Sequence, residues 1–353
     1  MKNINIETLH RYTLDARCTL KDALEKLNKL SNELTLFVID SNHKLLGTIT
    51  DGDIRRVIIA GSNLEEKILV GLNHNCKKIN ENKIDHNQLK KYADGKIFLI
   101  PIVDDENKLK GYLNLNIVKT ILPLDVVLMA GGKGERLRPL TINTPKPMLP
   151  LNGKPILDHN ISRLTQFGID NVTISVNYLK ENIKQYFGID YYKGIKIDYL
   201  EEEMPLGTLG SVCLKNDYVH NDLLILNSDI LTNLNFEELY DFYKRSSADM
   251  VIATIGYSVN VPYAVIETSN HIVTALKEKP IYTYQSNAGI YILNKEYLKY
   301  IPSGEKYDTT DLIEKLISEG KKVVSFQILD YWLDIGRHED YEKAKQDIRF
   351  LKL

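Results

Sequence analysis

The chain has only three cysteines, Cys18, Cys76 and Cys213, far apart and with no CxxC pair. That excludes a disulfide framework and a cysteine-based zinc site, and it fits a reducing compartment, the cytoplasm. No stretch approaches the roughly 18 uncharged apolar residues needed to span a bilayer. The opening Met1-Lys2-Asn3-Ile4-Asn5 lacks the apolar core of a secretion signal. No membrane partner is expected. An excess of one charge is also missing: 45 Lys+Arg stand against 47 Asp+Glu, a formal net charge of -2, with no local basic cluster. A nucleic-acid backbone therefore finds no electrostatic footing, and nucleic acid is not an expected partner. What is present is 353 residues, 43% hydrophobic, enough for one large core or two smaller ones.

The first third contains a repeat. Val38-Ile39-Asp40 is followed seven residues past the aspartate by Gly47, and Ile102-Val103-Asp104 likewise by Gly111. The copies lie 64 residues apart, and each predicts a hairpin: Leu36 to Ile39 with Leu45 to Ile49, then Ile97 to Val103 with Leu109 to Leu113. Thr19, three residues ahead of Asp22, caps a predicted amphipathic helix of Leu20, Ala23, Leu24, Leu27 and Leu30. Asp51-Gly52-Asp53 opens another, Ile54 to Ala60, so the unit reads helix, two strands, helix.

This segment resembles a tandem CBS-domain pair, an α+β module, with Gly47-Thr48-Ile49-Thr50-Asp51-Gly52-Asp53 as its most recognisable stretch. The resemblance implies an adenine nucleotide as a regulatory partner, held through Thr50 and Asp53, and self-association into a homodimer or higher homo-oligomer. The second copy continues Gly111-Tyr112-Leu113-Asn114-Leu115-Asn116-Ile117 and carries neither residue. The competing expectation is a purely structural docking block. The pair is placed at 1–120, with repeats at about 1–62 and 63–120, a linker at 121–124 and a second domain at 125–353.

From Asp125 onward, apolar strands alternate with amphipathic helices, which predicts an α/β fold around a mostly parallel sheet. Expected strands are Val126 to Ala130, Val172 to Val176, Ile195 to Leu200, Leu223 to Leu226 and Met250 to Thr254. Expected helices are Ile156 to Phe167, Tyr178 to Phe187, Leu209 to Asp217, Phe236 to Arg245 and Thr309 to Glu319. Such sheets bind ligands at the carboxyl ends of their strands.

The first of these strands runs into Ala130-Gly131-Gly132-Lys133-Gly134-Glu135-Arg136-Leu137-Arg138. Three glycines in four positions let backbone amides approach an anion, with Lys133, Arg136 and Arg138 supplying positive charge, so a phosphate cradle is the direct inference. Neither a Walker loop nor a Rossmann fingerprint matches its spacing. Ten residues past Arg136, Pro145-Lys146-Pro147 holds a lysine in a stiffened turn. Asp229 follows a strand, where a carboxylate can hold a divalent cation or merely cap a turn.

The run Leu128-x-Ala-Gly-Gly-x-Gly-x-Arg-Leu-x-Pro-Leu-Thr followed by Pro-Lys-Pro-Met-Leu-Pro resembles the signature of the sugar-1-phosphate nucleotidyltransferases. Its fold is a Rossmann-like, GT-A type domain with a mixed, mostly parallel sheet. The likeness continues through Glu202-Glu203-Met204-Pro205-Leu206-Gly207-Thr208, Asn227-Ser228-Asp229, Glu278-Lys279-Pro280, Asn287-Ala288-Gly289 and Trp332-Leu333-Asp334-Ile335-Gly336. It implies that Arg136 and Lys146 are catalytic and that Ala130 to Gly134 cradle the triphosphate. Glu202, Gly207 and Thr208 then lie near the base, Tyr263, Glu278, Lys279 and Asn287 at the sugar, and Asp229 and Asp334 on Mg²⁺ or Mn²⁺. Departures are Ser228 for glycine, Leu209 for alanine and Ala264 for glycine, each adding volume.

Nucleotidyl transfer brings two anions together, so a nucleoside triphosphate and a sugar 1-phosphate need fixed cations between them. Guanine presents two adjacent N–H donors that a carboxylate accepts as a pair, and Glu202 and Glu203 favour GTP on that ground. UTP, CTP and dTTP are the alternatives. A rival of another class is a nucleotide-sensing regulatory subunit without turnover, which has no need to keep Arg136, Lys146, Asp229 and Asp334 together.

Overall fold

The computed structural model describes residues 8–30, 34–193 and 195–351; the opening segment, Met1 to Asn5, lies outside them. Two compact units divide the chain, Met1–Leu122 with Gln166–Asp170, and Pro123–Thr165 with Asn171–Leu353. The excursion at 166–170 is not visible in the sequence pattern. Gly168 causes it: at φ +71°, a Cβ there would stand 2.5 Å from the Thr120 carbonyl, and Leu122 N donates to Phe167 O at 3.0 Å.

In the first unit the repeat is real in three dimensions. Strand Thr13–Asp15 lies parallel to Thr35–Ile39, which pairs antiparallel with Leu45–Thr50. The second copy pairs Ile79–Asn80, Leu99–Val103 and Leu109–Asn114 in the same way. Val38 stands opposite Gly47 and Ile102 opposite Gly111, with a register shift immediately after each. Leu45 N donates to Asn107 O and Leu109 N to His43 O, both at 2.9 Å, so the two hairpin turns meet through reciprocal bonds offset by the repeat length. His43 and Asn107 share the same left-handed backbone, φ +62° and +63°. Tyr12, Phe37, Leu99 and Tyr112 seal the two copies in one buried cluster.

The copies differ after their last strand. Helix Asp51–Ile59 follows the first, nucleated by a reciprocal box in which Thr50 and Asp53 each bond the other's backbone N–H. The second copy has Asn114-Leu115-Asn116-Ile117 at that place, no such box, and no helix. The expected helix-strand-strand-helix unit therefore holds for copy one only.

Eight strands build the central sheet of the second unit: β1 (Leu124–Met129), β2 (Asn171–Val176), β3 (Asp190–Tyr192), β4 (Ile195–Glu201), β5 (Asp222–Asn227), β6 (Met250–Asn260), β7 (Ile281–Asn294) and β8 (Val323–Gln327). Their order is β3-β4-β2-β1-β5-β7-β6-β8. β4, β2, β1 and β5 are parallel, while β7 enters antiparallel between β5 and β6, so the sheet is mixed and mostly parallel as expected. Helices Ile156–Thr165, Lys180–Phe187, Phe236–Arg245 and Thr309–Ser318 fall on the expected segments. Leu209 to Asp217 does not form the expected helix; only a short 3₁₀ turn, Gly210–Leu214, is present. Leu209 N and Gly210 N both donate to the Tyr307 carbonyl, and Val212 N to Leu209 O, so the segment is held as a short buried connection. A small ribbon, Ile230–Thr232 with Trp332–Asp334, lies beside the sheet.

Replacing Thr50 by alanine removes the hydroxyl that caps helix Asp51–Ile59, so the first unit should lose about 1 kcal/mol of stability. Urea unfolding of the full chain, followed by tyrosine fluorescence, measures this; an unchanged midpoint would show that the box carries no weight.

Candidate active site

The glycine loop leaves the end of β1 at the carboxyl edge of the parallel strands, where Ala130 N donates to Ser175 O of β2 at 2.9 Å. Gly132 and Lys133 are exposed, and a Cβ at Gly132 would meet nothing, so this stretch of backbone is open to a ligand. Gly134 is different. It is left-handed at φ +61°, its carbonyl accepts from Thr141 Oγ1 at 2.8 Å, and a side chain there would stand 2.9 Å from the Lys146 Cβ. The loop is thus moulded against the lysine that follows it in the Pro145-Lys146-Pro147 turn.

Lys146 is buried, and its ammonium lies between two carboxylates. Nζ donates to Asp229 Oδ2 in a very short contact and stands 3.8 Å from Asp334 Oδ1. The local fold dictates this meeting. Asp229 ends the turn after β5, and the antiparallel ribbon sets Ile230 opposite Asp334, with Ile335 N donating to the Asp229 carbonyl at 3.1 Å. Adjacent chain positions on a two-stranded ladder thereby bring side chains 105 residues apart in sequence to one point. Arg136 completes the group: its guanidinium lies against Gly336, two residues past Asp334, 3.4 Å from where a Cβ would stand. Burial pushes the Asp334 carboxyl above its ordinary range and the Asp229 charge adds to the shift, while Lys146 and Arg136 oppose it. Asp334 Oδ1 is buried with no hydrogen-bond partner among the described residues.

Two features lie behind the site, of which only Ser228 is a departure visible in the sequence. Ser228 is buried, and its hydroxyl donates to Met129 O at 2.6 Å, pinning the Asp229 turn to the end of β1. Gly289, at φ +70°, leaves space for the Asn227 side chain, since a Cβ there would stand 2.6 Å from Asn227 Nδ2.

Glu202 follows β4 and is buried beneath the loop. Its Oε1 accepts from Ser175 Oγ at 2.6 Å and would stand 3.0 Å from a Cβ on Gly131, and its Oε2 accepts from Leu206 N at 3.0 Å. Ser211 extends this chain to Ser175 at 2.8 Å. Neither serine is singled out by any spacing in the sequence, because both are supplied by packing. Glu203, by contrast, is exposed. Gly207 and Thr208 are held from the other side by the start of helix Thr309–Ser318. Thr208 N donates to Asp308 Oδ1 at 2.8 Å, Thr309 N donates to Thr208 Oγ1 at 2.9 Å, and Gly207 is left-handed at φ +79°. The cap pattern Asp308 to Asp311 is the one sequence signal for this seat.

Tyr263, Glu278 and Lys279 are exposed on an arm carried by β6 and β7. No hydrogen bond or ion pair among the described residues joins them to the group around Lys146. Asn287 lies further along β7, where its Oδ1 accepts from Gly289 N at 2.9 Å. The glycine loop, Arg136, Lys146, Asp229 and Asp334 are therefore brought together, and Glu202 sits directly beneath; Tyr263, Glu278 and Lys279 stand apart on the arm, whereas Asn287 adjoins Ala288, whose carbonyl accepts from Trp332 Nε1 of the site ribbon at 2.9 Å. Thr50 and Asp53 lie in the first unit as the capping pair described above.

Comparison with known proteins bears on what this arrangement is. The family profile of nucleotidyl transferases matches residues 125–349, and that of the CBS domain matches 6–60. The mannose-1-phosphate guanylyltransferase of Mycobacterium tuberculosis is 32% identical over 231 residues, covering 64% of each chain. The D-glycero-alpha-D-manno-heptose 1-phosphate guanylyltransferase of Aneurinibacillus thermoaerophilus is also 32% identical over 231 residues, 64% of this chain and 99% of its own. The crystal structure of HddC from Yersinia pseudotuberculosis complexed with GMP-PN superposes with a TM-score of 0.50 at 25% identity, over 64% of this chain and 99% of that one. The chain spans somewhat less than two thirds of the mycobacterial relative. With its signature loop, its mixed sheet and the match over 125–349, the chain belongs to the nucleotidyl transferase family.

Proposed function

We propose that the chain transfers a guanylyl group from GTP to a sugar 1-phosphate, releasing pyrophosphate and forming a GDP-sugar for surface polysaccharide or glycan synthesis. The observation that carries this reading is the buried Lys146 ammonium between Asp229 and Asp334, against the glycine loop. A sugar-phosphate oxygen, already ionised at neutral pH, attacks the α-phosphorus, the bond to the β-phosphate oxygen breaks, and pyrophosphate leaves. No general base is required. Lys146 neutralises the α-phosphate, Arg136 the departing pyrophosphate, and the open amides around Gly132 receive the β- and γ-phosphates.

Asp229 and Asp334 fit a divalent cation, Mg²⁺ or Mn²⁺. They are hard oxygen donors, Asp229 in the turn after β5 and Asp334 at the end of the strand paired beside it, and Asp334 Oδ1 is buried with no hydrogen-bond partner among the described residues. No group of three or more His, Cys, Asp or Glu is assembled among the described residues, which suits an ion whose shell is completed by triphosphate oxygens. When bound, such an ion supplies charge neutralisation along the triphosphate.

Guanine is favoured because Glu202, buried under the loop with one protein donor on each oxygen, keeps an accepting lone pair on both for the N1–H and N2–H edge. The named relatives are guanylyltransferases, which supports the same base. Glu278 then accepts from sugar hydroxyls, Lys279 meets the sugar phosphate, and Tyr263 and Asn287 position the ring. Regulation by an adenine nucleotide in the first unit, through Thr50 and Asp53, is part of the proposal. So is a cytoplasmic setting, since Cys18, Cys76 and Cys213 are all unbridged and no helix among the described residues is long and apolar enough to cross a membrane.

Asp229→Asn removes one charge without changing shape, so pyrophosphate release should fall at least ~10²-fold with the circular dichroism spectrum intact; full activity would refute the metal assignment. Crossing the four common NTPs with a panel of sugar 1-phosphates should show GTP as the preferred donor, and a preference for UTP would overturn the role given to Glu202. Calorimetric titration of the full chain with AMP and ATP should show binding, and a flat titration would reduce the first unit to a structural block.

A further inference from the structure

β6 and β7 outrun the sheet that carries them. β8 pairs with β6 only over Met250 to Thr254, and β5 pairs with β7 only over Ile290 to Asn294. Beyond those residues the two strands continue as a ribbon from Ile255↔Ser286 to Asn260↔Ile281. Val261 N donates to Pro280 O at 3.1 Å, and a second hairpin, Val265–Ser269 with Ile272–Lys277, forms the tip. Among the described residues, no third strand covers either edge of this arm.

The arm largely alternates. Tyr257 stands opposite Tyr284 and Val259 opposite Tyr282, which puts an apolar band on one face of the ribbon. The other face carries Gly256 with Gln285, Ser258 with Thr283, the latter two hydroxyls 3.2 Å apart, and Asn260 with Ile281 at the far end. In the tip hairpin Ile266 faces Leu276, and Val273 follows on the same side; the opposite side holds the Lys277–Glu267 ion pair at 2.5 Å. Alternation of this kind normally marks a sheet with one face in a core. Here the apolar faces are in water: Tyr257 and Tyr284 are each 58% exposed, Ile266 55%, Val273 60% and Leu276 62%. An isolated two-stranded ribbon is marginal at best in water, so this arm is the part of the second unit most in need of a cover.

We propose that the cover is a second copy of the same arm, packed apolar face to apolar face about a two-fold axis. The apolar faces carry no charge, so they are complementary to themselves and offer nothing to a charged partner, as an isologous contact requires. At roughly 100 Å² for each of these five half-exposed side chains, the two arms would bury on the order of 1,000 Å² together, about the smallest area a specific interface needs. This surface is distinct from the first unit, where the sequence alone suggested association.

Light scattering on the full chain at high micromolar concentration should give at least twice the 40.4 kDa chain mass. Tyr257→Glu combined with Leu276→Glu should halve it, whereas Ser258→Glu, on the polar face of the same ribbon, should leave it unchanged. A monomeric wild type, or a double variant that keeps the wild-type mass, overturns the proposal; the second result is the one that association through the first unit alone would give. Should the double variant fail to fold, hydrogen exchange on the wild type decides. Amides of 255–260 and 281–286 should gain protection as concentration rises, and concentration-independent exchange there overturns the interface.

Discussion

Two carboxylates do not share a site unaided. The ribbon that sets Ile230 opposite Asp334 forces Asp229 and Asp334 into the same small volume, where burial and the Asp229 charge both disfavour the ionised Asp334. Lys146 is what makes the arrangement tolerable. A unit-charge pair at ~4 Å is worth about 4 kcal/mol at an effective dielectric near 20, before solvent reduces it at the half-exposed Asp334. The lysine must therefore be delivered to one point with little freedom, and several unrelated features serve that end. Prolines flank it, Gly134 presses on its Cβ, and Ser228 ties the Asp229 turn to β1. Removing the lysine would leave an uncompensated acidic pair, so its position is as much a condition of folding as of chemistry.

Much of this was legible beforehand because it is local. The glycine loop, the Pro-Lys-Pro turn and the capping box at Thr19 are each written within a few consecutive residues, and each appears where expected. Strands of the parallel layer were legible for a different reason, since burial on both faces leaves uninterrupted apolar runs such as Leu223 to Leu226. The failures are cases where a distant partner decides. Leu209 to Asp217 has helical spacing, yet it forms only the short turn Gly210–Leu214, seated on the Tyr307 carbonyl nearly 100 residues on. Thr208 is seated by the start of a helix 100 residues away, a partner that no local spacing reveals. The ribbon of Ile230–Thr232 with Trp332–Asp334 is too short for any periodicity to reveal, although it assembles the site.

The first unit makes the same point through symmetry. A repeat of 64 residues was visible from one glycine and one aspartate, but the reason for both becomes clear only in the paired turns. Asp40 and Asp104 accept from the amides of their own turns, holding His43 and Asn107 left-handed so that each carbonyl can receive the other copy's leucine amide. Gly47 is required because a Cβ there would stand 2.5 Å from the Asn73 carbonyl. Symmetry of backbone thus outlasts symmetry of surface, for the second copy has kept its sheet while losing the capping box and its helix.

The departures from the family signature can be weighed in the same terms. Ser228 adds a hydroxyl where glycine is usual and satisfies it internally, so the extra group stiffens the turn carrying Asp229 instead of filling the ligand space. Leu209 is fully buried in the main core of the second unit, where its bulk packs against the connection that holds Gly207 and Thr208. Ala264 alone faces outward, on the arm beside Tyr263. Of the three, only Ala264 is exposed, and it lies on an element whose own sheet does not hold it. Under the proposed function its effect on the choice of sugar would depend on what fixes the arm, because a methyl group discriminates between ligands only to the extent that the backbone carrying it cannot give way.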